Sequence, residues 1–125
     1  MHPSEPLSHF VEDYLGYLHE TSPTHAALDG VHGHDDLLED LSRPALDGQV
    51  RALAGFRRRL DEIDARELTK VEKIEHPILL SHVRARAFEL EEVRAWERNP
   101  QFYADTLATS LAAQALFTYA PPAER

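Results

Sequence analysis

The sequence contains no cysteine in 125 residues. That excludes disulfides, thiolate zinc sites and cysteine nucleophiles, and leaves histidine and carboxylate as the available metal ligands. Positive charge is also scarce: 13 Lys and Arg stand against 22 Asp and Glu, for a net charge of -9. Such a surface repels phosphate backbones and anionic lipid, so nucleic acid is not an expected partner. No window approaches the roughly 20 apolar residues that cross a bilayer, and the opening MHPSEPLSHF lacks the basic-then-apolar order of a secretory signal. The chain is therefore expected to be soluble and cytoplasmic, with no membrane partner. The five glycines are scattered, which excludes a glycine-rich phosphate loop.

What is present is helical patterning. The length suits one domain, and 42% hydrophobic with 28% charged residues predicts a single core of modest size. Leu7, Phe10, Val11, Tyr14, Leu15 and Leu18 follow the spacing of an amphipathic helix that Ser4 can cap and that stops near Thr21. Ser22-Pro23 offers a new cap and first-turn proline for a short helix through Leu28, which Gly30 can end. Ser42 with Arg43-Pro44 starts a third helix with the stripe Leu46, Val50, Leu53, Phe56, Leu60 and Ile63. Its Arg57, Arg58, Arg59, Asp61 and Glu62 read as a solvated face.

Thr69 and Glu72 form a capping-box pair at the start of a fourth helix, in which Pro77 predicts a kink or a fresh start. Leu79, Val83, Ala87, Leu90 and Val93 carry that helix to about Trp96. Asn99-Pro100 opens a fifth, bearing Phe102, Tyr103, Leu107, Leu111, Ala115, Leu116 and Tyr119. No alternating β-branched run competes, so the expected fold is all-α: about five amphipathic helices in an up-down or open array. Pro121-Pro122-Ala-Glu-Arg125 reads as the corner and first turn of a sixth helix, from which residues 1–125 are expected to be a single helical region, the N-terminal part of a longer protein.

The most chemically loaded stretch is DGVHGHDDLLEDLS, residues 29–42. His32 and His34 share a face only on a strand, whereas here Gly33 lies between them in a connection, where convergence on a metal costs entropy. The stretch reads as a solvated or partner-facing acidic loop, with a loop folded on the core through one histidine, or a metal site, as the alternatives. His19-Glu20 does not complete H-E-x-x-H, because the next histidine is His25, beyond Pro23. His76 and His82 read as surface or interhelical packing residues. Ser8, Ser22, Ser42, Ser81 and Ser110 lack a nucleophile turn, and Glu91-Glu92 diverge on a helix. Trp96, Phe102 and Tyr103 read as a hydrophobic knuckle, or a ligand platform, around Asn99-Pro100. No residue is thus assigned a catalytic, cofactor-binding or metal-binding role.

Ser22-Pro23, Ala26, Gly30, His32, Asp35, Leu38, Asp40 and Ser42, then Ile63-Asp64, then Glu92, Arg94, Trp96, Glu97, Asn99, Pro100 and Tyr103, recur together in a bacterial family. On these residues, and on RAWERNPQFY above all, the chain resembles the N-terminal region of proteins of the domain of unknown function 885 family. The resemblance runs from the first helix to Pro121-Pro122. It implies a largely helical, several-fold longer protein with a downstream H-E-x-x-H motif, hence a zinc-dependent peptidase-like activity; no zinc-binding or catalytic position of that family has a counterpart here. Ala95, where proline is common in the family, and Pro77 depart from the pattern. The expected function is that of a non-catalytic helical region that packs against and shapes a catalytic part, with the remainder of its own polypeptide or a self-associating apolar helix face as partner. The alternative is a small acidic protein-interaction module complete in itself.

Overall fold

The computed structural model describes residues 5–116 together with Pro121 and Ala123. The expectations placed on Ser4, Tyr119, Pro122, Glu124 and Arg125 lie outside these residues. Every regular element among the described residues is helical, and none is a strand, so the all-α class holds. The helices are α1 (Glu5–Thr21), α2 (Pro23–Leu28), α3 (Arg43–Glu62), α4 (Glu72–Phe88), α5 (Ala95–Arg98) and α6 (Gln101–Leu116), with a 3-10 turn at Ala65–Glu67 and a π turn at Glu89–Val93. No helix among them is long and apolar enough to cross a membrane.

The helices group into two compact units. The first takes the chain up to Leu15 and Ser42–Arg94; the second takes Gly16–Leu41 and the chain from Ala95 onward.

In the first unit the predicted stripes meet. Leu7, Phe10 and Tyr14 of α1, Leu46, Leu53 and Leu60 of α3 and Val83 of α4 are buried. Phe56 sets its ring edge-on to Phe10 at 5.7 Å and to Tyr14 at 5.0 Å, within the range where aromatic pairs add to area burial. Arg59 departs from the solvated reading: its guanidinium reaches Asp13 at 2.8 Å and lies over the Phe10 ring, 5.5 Å from its centre, so its stem lids the aromatic cluster. The 3-10 turn was not expected. Asp64 caps it by accepting from the Arg66 backbone at 2.9 Å, and the Arg66 guanidinium on the same carboxylate holds Asp64 below the ordinary carboxylate range.

The start of α4 follows the sequence closely. The Thr69 amide donates to the Glu72 carboxylate at 2.7 Å and the Glu72 amide to the Thr69 hydroxyl at 3.2 Å, the reciprocal pair of a capping box. Pro77, by contrast, starts nothing new: the helix runs unbroken from Glu72 to Phe88. The reason is tertiary. His76, the residue that a following proline pushes out of helical geometry, donates Nε2–H to the Leu60 carbonyl at 2.7 Å and is pinned to the last turn of α3. The helix also fails to reach Trp96 as one piece. It widens into the π turn, which the Arg94 amide closes onto the Glu89 carbonyl at 2.9 Å, and Arg94 then takes a left-handed conformation, φ 51°, that ends it.

His82 faces the buried Tyr14, whose hydroxyl donates to Nδ1 at 2.7 Å. Partial burial, and then the nearby Arg86 charge, hold the imidazole below its ordinary range, with Glu89 opposing. The unfolded chain therefore takes up this proton first as pH falls. Stability from this group is full above the ordinary imidazole value near 6.5 and declines as pH drops from there toward the lower folded value. The thermal midpoint should accordingly fall between pH 7.5 and 5.5 (about two units around that value), and H82Q should remove part of the fall. Superimposable pH profiles for the two proteins would remove His82 from the account.

In the second unit, α2 packs on α6 through small residues, with Ala26 and Ala113 buried. Asn99 opens α6 as read from the sequence, its side-chain oxygen accepting from the Gln101 amide at 3.0 Å.

Candidate functional site

The loop from Asp29 to Leu41 begins where α2 ends. Gly30 adopts φ +83°, its amide bonds the Ala27 carbonyl at 3.1 Å, and the Val31 amide bonds the Ala26 carbonyl at 2.8 Å. These are the two bonds of a Schellman cap, and they need the left-handed glycine that the sequence supplies. The Asp29 carboxylate stands 3.6 Å from His19 Nε2.

At its far end the loop returns to the start of the same helix. Ser22 makes no side-chain capping bond. The cap comes instead from Glu39, which accepts from the Thr24 amide at 3.1 Å and from the Thr24 hydroxyl at 2.7 Å. A carboxylate here meets orphan amides and the positive end of the peptide dipoles together. The loop middle is tied as well, since Gln114 of α6 donates to the Asp35 carbonyl at 3.1 Å. The acidic stretch is therefore a fastened loop, held at Glu39 through its carboxylate and at Asp35 through its backbone carbonyl.

Within it, His32 Nδ1 sits 3.2 Å from the Asp35 carboxylate. Zinc would need three or four such donors converging at about 2 Å. Among the described residues no three His, Asp or Glu side chains gather so.

Among the described residues, two helices carry several exposed large apolar side chains, one helix in each unit. On α6, Tyr103, Leu107 and Leu111 follow each other at i, i+4 and i+8 and are exposed, Leu111 at 69%, with Leu116 at 77% farther along the helix. The large apolar residues along this helix are more than one side of it can bury. On α4, Val71, Ile74, Ile78 and Phe88 are exposed, Ile74 at 66% and Ile78 at 63%. They form a stripe on the side opposite Val83. In the sequence this stripe is masked by the inward set that interleaves with it, although Val71, Ile74 and Ile78 follow one another at steps of three and four. Near Phe88 a groove of about 500 Å³ runs between α3 and α4, floored by Leu53 and Val83, with Arg57 and Arg84 offset by Glu91 and Glu92.

The aromatic corner is closed by its own residues. The Tyr103 hydroxyl donates to the Trp96 carbonyl, and Phe102 meets Tyr103 edge-on at 5.3 Å, as a knuckle between α5 and α6 requires.

No family model matches the chain, and no curated protein or solved structure matches it either.

Proposed function

We propose that the chain is a non-catalytic helical region of a zinc-peptidase-like protein, and that the catalytic part of that protein covers the outer face of α6. The observation that carries this reading is the exposure of Leu107 and Leu111, one turn apart on one face of that helix. Burying such side chains is worth about 1.5–3 kcal/mol each, so leaving both in water is a standing cost that a covering surface would recover. The RAWERNPQFY segment supports the family, and the fastened acidic loop supports a structural role, since its anchoring groups are spent on the fold.

The isolated chain should bind an environment-sensitive apolar dye, and L107S with L111S should remove the part of that signal contributed by α6, leaving that of α4, without loss of helix content. Extending the polypeptide through its natural reading frame past Arg125 should quench the dye and add a histidine-bearing helical segment. A stop codon immediately after Arg125 would favour the self-contained interaction module instead. Absence of dye binding would count against both.

A further inference from the structure

The apolar stripe of α6 has a neighbour of definite charge. Tyr103, Leu107 and Leu111 climb the helix in steps of four, and Gln114 follows three positions after Leu111, a spacing that keeps it on the same face. Its side chain donates to the Asp35 carbonyl at 3.1 Å, so the acidic loop borders the stripe at that end. Just past this tie the loop exposes Asp36, Leu37 and Leu38.

The charge of this unit is one-sided. From Gly16 to Leu41 the chain has no Lys or Arg, against Glu20, Asp29, Asp35, Asp36, Glu39 and Asp40. On α5 and α6 a single arginine, Arg98, stands next to Glu97, and Asp105 follows. The other unit mixes its signs, with Arg51, Arg57, Arg58 and Arg59 on α3 alone. The acidity of the whole chain is thus concentrated in the unit that exposes Leu107 and Leu111.

We propose that the surface covering α6 is a cationic amphipathic helix, an apolar stripe flanked by Lys or Arg that meets the acidic loop. This rests on the reading that another protein surface covers α6, and it adds what that surface is made of. The steps of four on α6 form a ridge against which a second helix packs. Charge then selects among helices, because an anionic edge speeds the approach of a cationic partner and penalises an acidic one. Surface ion pairs are weak singly, so the leucines supply the affinity and the carboxylates supply the choice.

The full chain should be titrated with a synthetic helical peptide of about 18 residues, carrying leucines at steps of three and four and lysines at the flanks. A counterpart with glutamate at every lysine position is the comparison. The lysine peptide should bind with a Kd on the order of 10 µM at about 50 mM salt and about tenfold more weakly at about 0.5 M. The glutamate peptide should bind at least about tenfold more weakly than the lysine peptide. D36K should weaken the lysine peptide about fivefold, whereas E91K, the same charge change on an exposed residue of the other unit, should shift it less than about twofold. L107S with L111S should abolish binding with far-UV circular dichroism unchanged. A glutamate peptide that binds as tightly as the lysine one overturns the cationic partner while leaving a covered α6 in place. Equal weakening by D36K and E91K also overturns it, by reducing the effect to net charge. So does binding that survives L107S with L111S, or a lysine peptide that does not bind. Dye binding by the bare chain reports separately on whether α6 is open to any partner, so the two readings fail independently.

Discussion

Replacing Pro77 with alanine should stabilise the protein by about 2–3 kcal/mol, the largest gain expected of any single change here. Proline inside a helix forfeits one hydrogen bond and strains the preceding turn, at about 3 kcal/mol relative to alanine. Pro77 lies within α4 as it runs from Glu72, and it is exposed, so the smaller side chain opens no cavity. Alanine restores an amide that can bond the Lys73 carbonyl. It also relieves His76 of holding helical geometry against a following proline, a restraint now supplied by its bond to the Leu60 carbonyl. The thermal midpoint should rise on the order of 10 °C for a chain of this size. An unchanged midpoint would mean that the turn before Pro77 is not helical in solution, and with it the capping box at Thr69 would lose its meaning.

The opposite sign is expected at Glu39. Its carboxylate takes two hydrogen bonds from Thr24, which is buried, so E39A strands an amide and a hydroxyl away from water. Hydrogen bonds to a charged group contribute about 1.5–3 kcal/mol, and the loss here should be about 2 kcal/mol in urea unfolding. E39Q keeps one acceptor and should lose roughly half as much. The effect should also be local: hydrogen exchange at Thr24 and across residues 31–39 should accelerate in E39A well before α3 or α4 respond, because Thr24 and the loop belong to one compact unit and α3 and α4 to the other. Exchange that accelerates uniformly would show that Glu39 supports the whole molecule and does not specifically clamp the loop.

These two residues also show what could be read in advance. Ser42, the Thr69–Glu72 pair and Asn99 signal helix starts through contacts two or three residues away, and each forms the bond its spacing promises. Gly30 does the same for a helix end. Pro77 and Glu39 differ because their fate is decided by partners farther along the chain: His76 is braced by Leu60, sixteen positions back, and Thr24 is capped by Glu39, fifteen positions on. Ser22 looked like the cap on local grounds and lost to a charged acceptor that only the folded loop delivers. Arg59 likewise looked solvated until Asp13 and Phe10 came to it. The candidate surfaces were half legible. The surplus on α6 is plain from its count of large residues, while the outer stripe of α4 hides behind the inner one, since two interleaved stripes blur each other's period.

The closure of the acidic loop has one more result. Its neck is pinched at both ends of α2, by the glycine cap at Gly30 and by the carboxylate at Glu39, so the two strands of chain enter and leave within one short helix. Residues between these clasps span no gap and carry no helix register. Lengthening such an excursion costs only the slow logarithm of loop closure, about 0.6 kcal/mol per doubling. One or two residues inserted at Gly33 should therefore leave the helices on either side of the loop where they are.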